Sequence, residues 1–205
     1  MRARRIRTRA NWLAVGVALL GVLAGCASAT GQANTTHTTQ PQLEGTLLSG
    51  AAPAFTLRDQ TGATVSLAQF RGEPVVLTFV DSICTNECPL TAMFLNQTAA
   101  FLGPKANDVA WIAMSVDPWS DTPATAQAFL TKNKVTMPFH FTLGSVATLT
   151  PLWKAYHIGV EQTPGDITHT VGSYLIDQQG NERVWLDEGF DPKMLSDDIS
   201  ILLAS

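Results

Sequence analysis

Two thiols at close spacing carry the clearest chemical signal in this chain of 205 residues: Cys84 and Cys88, in the stretch Asp81-Ser82-Ile83-Cys84-Thr85-Asn86-Glu87-Cys88-Pro89. A cysteine acts as a nucleophile or metal ligand only as its thiolate, and a helix N-terminus favours that form by aiming N–H groups and the positive dipole end at the sulfur. If both residues are helical, a spacing of four places their Cα atoms roughly 6 Å apart. That lies toward the upper end of the disulfide range of about 4.4–6.8 Å, so a bridge would need the loop to adjust and would be labile. Two sulfurs on one face, with room between them, also suit a soft ion such as Cu(I), zinc or an iron–sulfur centre. The competing account is a passive staple, although a disulfide closing so short a loop stabilises little by chain entropy.

Two sulfurs leave a metal site incomplete, and His169 is the candidate third donor or proton partner. It stands in Asp166-Ile167-Thr168-His169-Thr170, a polar stretch read as a loop entering the next strand. The other histidines have structural accounts. His140 alternates with Phe139 and Phe141 as a strand face residue, His157 ends a helix where imidazole complements the C-terminal dipole, and His37 lies solvated in a polar segment.

The third cysteine, Cys26, belongs to a different device. Arg2, Arg4, Arg5, Arg7 and Arg9 form a basic head, Trp12 to Val22 an apolar run, and Leu23-Ala24-Gly25-Cys26 a small-residue end. This is the pattern of a secretory signal over 1–25, and its run is about half of the roughly 20 residues that a spanning helix needs. Leu-Ala-Gly-Cys resembles a bacterial lipobox, which implies cleavage before Cys26 and lipidation of its sulfur. Residues 26–46, polar and rich in Thr and Gln, are expected to be a disordered tether, with a folded domain over 47–205. Loss of the five head arginines leaves eight Lys+Arg against seventeen Asp+Glu, a formal charge of −9. Such a surface argues against nucleic acid as a partner. Outside the cytoplasm, a lone Cys84–Cys88 pair is oxidised unless it is kept reduced or occupied by metal.

The elements that must position these groups follow from periodicity. Val75 to Val80 is a continuous apolar run read as a central strand, and Leu90 to Leu102 as the helix behind the cysteines, stopped at Gly103-Pro104. Val109 to Val116 predicts a second buried strand, Pro123 to Asn133 a helix capped by Asp121 or Thr122, and Phe139 to Leu143 a third strand. Ser145 to His157 reads as a helix, and Val171 to Ile176 with Arg183 to Leu186 as a hairpin. A helix over Lys193 to Leu203 closes the chain, and an earlier hairpin joins Phe55–Leu57 to Val65–Leu67. Strands alternating with helices predict a three-layer α/β domain with a mixed central sheet, N-terminal hairpin and C-terminal ββα unit. A thiol pair between the first central strand and its helix is the thioredoxin-like arrangement.

The segments TFVDSICTNECP, SVDPWSDTP and HTVGSYLIDQQG together resemble the SCO/SenC family of membrane-tethered copper proteins, from about Pro53 to Ser205. The resemblance implies copper, as Cu(I) or Cu(II), on Cys84, Cys88 and His169, and a place at the cell membrane facing the extracytoplasmic side. It implies as partner the CuA-bearing subunit II of cytochrome c oxidase, to which copper is delivered or whose cysteines are reduced by the Cys84–Cys88 redox pair. Asp117 and Asp121 match the SVDP…DTP signature, with strand exit and helix capping as their structural account. The chain departs from many relatives in Asp81-Ser82-Ile83 and in the insert Thr-Asn-Glu, where Glu87 brings a charge expected to raise the thiol pKa or to favour cation capture. The alternative function is a thiol–disulfide oxidoreductase or peroxiredoxin-like enzyme without copper delivery. Against it stand the CxxxC spacing, where a thioredoxin-type reductase has CxxC, and the absence of a Pro-x-x-x-Thr-x-x-Cys frame before Cys84.

Overall fold

The computed structural model describes residues 42–163 and 166–205, so the expected signal segment, Cys26, His37 and most of the expected tether lie outside the described residues. In chain order the elements are β1 (Thr46–Leu47), β2 (Thr56–Asp59), β3 (Thr64–Ser66), β4 (Val75–Val80), α1 (Glu87–Leu102), β5 (Ala110–Ser115), α2 (Pro123–Lys132), β6 (Phe139–Leu143), α3 (Val146–Ala155), β7 (Val160–Thr163), β8 (Asp166–His169), β9 (Gly172–Ile176), β10 (Glu182–Asp187) and α4 (Pro192–Leu203). Eight strands form one sheet in the order β1-β10-β9-β4-β5-β6-β2-β3, and β7 with β8 forms a separate hairpin.

The apolar runs decide the centre of this sheet. Every residue of β4 and of β5 is buried, as strands covered on both faces must be. They pair in parallel from Val75↔Ala110 to Val80↔Ser115, with β6 parallel to β5 beyond and β9 antiparallel to β4 on the other side. Strand alternation sends Val75, Leu77 and Phe79 into a core with Leu149, Trp153 and Tyr156 of the α3 region. Val76 faces the opposite layer, which holds Leu95 and Leu102 of α1 and Leu195, Ile199 and Leu202 of α4. Val80, Cys88 and Ala92 pack with Ala126, Phe129 and Leu130 of α2 on that same side. The expected three-layer mixed α/β domain is therefore what forms.

Local chemistry sets the ends. Thr122, rather than Asp121, caps α2, accepting the Thr125 N–H while Thr125 Oγ1 accepts the Thr122 N–H. At the end of α3, His157 takes a left-handed conformation (φ 55°), its N–H donates to Lys154 O, and Ile158 N–H donates to Trp153 O. His157 is thus the residue that turns the chain off the helix in a Schellman closure. The Asp59 carboxylate collects the N–H groups of Thr61 and Ala63 to turn β2 into β3, and Asp177 does the same for Gln179 and Asn181 between β9 and β10.

Three features depart from expectation. The polar stretch before β9 is a strand, β8, paired with β7 from Val160↔His169 to Thr163↔Asp166. With Val160 and Ile167 as its main apolar residues, this hairpin shows no alternation by which to recognise it. The helix after the cysteines begins at Glu87 rather than Leu90, so Cys88 is helical while Cys84 precedes the helix. The fold also starts before residue 47. Leu43 packs on the α1–α4 core layer, Glu44 N–H donates to both oxygens of Asp198 at 3.0 and 3.2 Å, and β1 pairs with β10. Among the described residues no helix is long and apolar enough to cross a membrane.

Gly172, where the chain enters β9 from the His169 segment, has no room for a side chain. An added Cβ would lie 2.2 Å from the Trp185 ring and 2.7 Å from Leu186 O. The Gly172→Ala variant is expected to lose about 1–3 kcal/mol of stability through overpacking. Urea unfolding monitored by tryptophan fluorescence measures it, and an unchanged midpoint would contradict this account of β9.

Candidate functional site

The site is built where β4 runs out. After Val80 the chain turns through Asp81, Ser82 and Ile83 to Cys84, and α1 starts three residues later. Two carboxylates fix this turn. Asp81 accepts the Ile83 N–H on its side chain at 2.8 Å and the Cys84 N–H on its carbonyl at 3.3 Å. Asp121 reaches across from the loop after β5, accepting the Ser82 N–H at 2.8 Å and the Ser115 hydroxyl at 2.6 Å. The turn that presents Cys84 is thereby held to both central strands.

Asn86 takes the N-cap position of α1 without a side-chain cap. The first N–H groups of a helix need an acceptor, and here the Cys84 sulfur supplies one. Both cysteines are free thiols, Cys84 half-buried and Cys88 at 2 % exposure in the first turn of α1. The Cys84 pKa is lowered to about 6, first by the hydrogen bond from the Cys88 thiol and then by the backbone N–H groups of Cys88 and Asn86, against the opposing pull of burial. Cys88 moves the other way, because its proton is committed to Cys84 and its sulfur is buried. The two thiols therefore divide the work: Cys84 is the accessible thiolate and Cys88 the protonated reserve behind it. Glu87, expected to raise the thiol pKa, lies with Oε2 at 3.9 Å from the Cys84 sulfur and does not reverse the lowering.

His169 ends β8 and is half-buried. Its Nδ1 lies 2.9 Å from Thr170 O. A carbonyl only accepts, so Nδ1 carries the proton and Nε2 is the nitrogen left to bind an ion or take up a proton. A cleft of about 730 Å³ has Asp81, Cys84, Glu87, Asp117, His169 and Glu188 among its walls. Its floor is lined by buried carboxyl groups: Asp81 and Asp117 are 6 % and 3 % exposed, and burial pushes the Asp81 carboxyl up. Behind the turn, burial likewise pushes Asp121 up to about 6.

Of the three residues singled out from the sequence, Cys84 and His169 face this cleft, whereas Cys88 sits behind Cys84 in the layer formed with Val80, Ala92 and Ala113. Among the described residues no three Cys, His, Asp or Glu side chains stand close enough together to hold an ion as they are. Cys84, Cys88 and His169 are the kinds of donor that would suit a soft cation, and holding one would require Cys88 to give up its proton and His169 to come closer to the sulfurs. His140 has no part in this: Nδ1 bonds Asp59 Oδ2 at 2.8 Å between β6 and β2, with its ring against Phe70. Sequence inspection gave Asp81 no role and passed over Glu188. A carboxylate directly behind a fully buried strand was the available signal for Asp81, whereas Glu188 reaches the cleft only by folding.

Comparison with known proteins adds to this geometry. The model of the family described as SCO1/SenC matches residues 46–204. Protein SenC of Rhodobacter capsulatus is 26 % identical over 154 residues, 73 % of this chain and 69 % of that protein. The chloroplastic peroxiredoxin Q of Populus jackii is 28 % identical over 158 residues, covering 76 % and 67 %. The copper-bound structure of Bradyrhizobium japonicum ScoI superposes with a TM-score of 0.67 at 26 % identity, over 75 % of this chain and all of that one.

The unequal thiols give a direct test. Iodoacetamide should alkylate Cys84 with a rate that rises through pH about 6, while Cys88 stays unmodified in the folded protein. In Cys88→Ala the midpoint should move up toward the ordinary thiol value, because the thiol donor is gone. In Cys88→Ser, which keeps a donor, it should move less. Mass mapping of the alkylated chain in chelator-treated buffer reads both positions, and a midpoint unmoved by Cys88→Ala would contradict the assigned cause.

Proposed function

The chain belongs to the SCO1/SenC family, and from that premise we propose that it binds copper outside the cytoplasm and passes it to the CuA site in subunit II of cytochrome c oxidase. The observation that carries this is the pairing of a Cys84 thiolate at an uncapped helix start with a histidine whose Nε2 is available across the same cleft. Copper is cargo here rather than a resident group. Cys84 offers the first soft ligand without having to lose a proton near neutral pH. Cys88 has to shed its proton to become the second, so uptake releases a proton and is favoured as pH rises. His169 supplies an imidazole nitrogen as the third. Release to an acceptor proceeds by exchange of these ligands for thiolates of the acceptor, and a site that is not closed in advance suits transfer better than storage.

A second reading rests on the same unequal thiols. An accessible low-pKa thiolate backed by a protonated partner is the arrangement for thiol–disulfide exchange: Cys84 attacks an acceptor disulfide and Cys88 resolves the mixed disulfide. Reduction of the acceptor's CuA cysteines is then the function, and the likeness to peroxiredoxin Q is consistent with a thiol-chemical ancestry of the scaffold.

The proposed organisation has residues 1–25 removed as a signal, Cys26 lipidated, and the segment to about residue 42 spanning from the membrane surface to the domain. The extracytoplasmic setting also explains why a single thiol pair must be either charged with copper or kept reduced.

Cu(I) titration against a chromophoric competitor should give one copper per wild-type chain. Cys84→Ser or Cys88→Ser should abolish it, and His169→Ala should weaken it by about 10–100-fold. Unchanged copper affinity in His169→Ala would remove that residue from the site. A wild-type chain that takes up no copper but reduces a disulfide substrate would put the second reading first. For the anchor, Cys26→Ser should move the chain from the membrane to the soluble fraction, and mass spectrometry of the wild-type N-terminal peptide should find a diacylglyceryl adduct. Wild-type chain recovered without lipid would exclude the anchor.

A further inference from the structure

Ile83, Trp119 and Val146 leave large apolar side chains 54 %, 49 % and 40 % exposed. Exposed apolar surface costs about 25 cal/mol per Å² relative to burial, and these three are joined rather than scattered. Ile83 and Trp119 line the thiol cleft, while Trp119 and Val146 line a second depression of about 520 Å³ that runs over Trp153, Ile158 and Val160. Trp119 is the wall common to both. It is not a frayed loop residue: its N–H and that of Ser120 donate to Asp117 Oδ1 at 3.1 and 3.2 Å, and Asp121 N–H donates to Asp117 O at 2.8 Å. The buried Asp117 pins the loop so that the indole stands out at the mouth of the cleft. Joined exposed apolar groups beside a reactive centre mark a contact surface, and tryptophan is the residue type most enriched among dominant contact residues.

Charge divides this surface. On the cleft side lie Glu87 and Glu188, with Asp81 and Asp117 beneath them; on the groove side lie Lys154 and His157. We propose that Trp119 is the docking residue for an extended, cysteine-bearing segment of the acceptor protein. The acceptor cysteine meets Cys84, a lysine or arginine beside it lies over the carboxylates, and an apolar side chain a few residues away fills the groove between Trp119 and Val146. This rests on Cys84 being the exchange centre and adds which polypeptides reach it. Cationic–anionic complementarity fixes the direction of the segment, and the apolar anchor holds it.

Disulfide exchange reads this docking without metal. The Cys84 thiolate attacks one sulfur of a peptide disulfide and expels the other as a thiolate. Cys88, deprotonated, then attacks Cys84 in the mixed disulfide, releasing the second peptide thiol. Two electrons and two protons pass from protein to peptide, and the Cys84–Cys88 disulfide is left behind. The experiment uses the reduced full chain and three probes: a disulfide peptide with lysine next to a cysteine and phenylalanine four residues on, the same peptide with glutamine and glycine at those positions, and bis(2-hydroxyethyl) disulfide. The wild type should oxidise at least about tenfold faster with the first peptide than with the second, a difference of about 1.4 kcal/mol in barrier. Trp119→Ala and Val146→Asp should each remove that preference while leaving the rate with the small disulfide within about twofold. Three results would overturn the proposal: no preference between peptides in the wild type, an equal loss on the small disulfide in both variants, or wild-type self-association abolished by Trp119→Ala, which would make a second copy the occupant. A chain that shows the preference yet takes up no Cu(I) would uphold the docking surface and overturn copper delivery alone.

Discussion

The first turn of α1 is a set of N–H groups in need of an acceptor, and the acceptor it finds is sulfur. Asn86 contributes no side-chain cap, so the Cys84 thiolate is the group that satisfies those donors. Much else follows from that one contact. With the hydrogen bond from the Cys88 thiol, which is the larger cause, it lowers the Cys84 pKa to about 6. By drawing the Cys88 proton toward itself, Cys84 also keeps its neighbour neutral and compatible with a packed layer of Val80, Ala92 and Ala113. A Ser or Asp cap at Asn86 would compete for the Cys88 N–H and weaken the backbone share of the lowering, leaving the Cys88 thiol as its main cause.

Holding a thiolate above buried carboxylates is electrostatically unfavourable, and the fold supplies the means to do it. Asp121 spends its hydrogen bonds on Ser82 and Ser115, tying the turn to β5, and Asp81 spends its own on the turn itself. The carboxyl groups are thereby used as backbone fasteners rather than as free groups beside the sulfur. The imidazole of His169 arrives from a hairpin that is not part of the main sheet. His169 is therefore positioned independently of the β4–β5 register that sets the thiols.

Much of the scaffold was legible because its signals are local. The runs Val75–Val80 and Val109–Val116 announce strands buried on both faces, and Gly103-Pro104 and Pro123 mark helix ends; together they place the thiols at a strand-to-helix corner. The β7–β8 hairpin was not legible, since its strands are stabilised by pairing with one another rather than by an alternating apolar face. Nor was the packing of Leu43 and Glu44, which depends on α4 at the far end of the chain. The start of α1 at Glu87 rather than Leu90 was hidden for a similar reason. Helical spacing is a property of sequence, whereas the point at which α1 begins is set by how Asp81 and Asp121 hold the turn before it.

The sequence by itself determined the central strands and the helices around them, the pair of thiols, the third donor worth considering and the family resemblance, because residue type and short-range period carry that information. The tertiary structure alone decided that the thiols are unequal, that Cys88 stands behind Cys84 and not beside it on the cleft wall, and that Trp119 is held at the mouth. Those are matters of burial and of hydrogen bonds between residues distant in the chain, such as Ser82 with Asp121 across the two central strands. A pKa or an exposed surface exists only once the chain has excluded water from one side of a group and not the other.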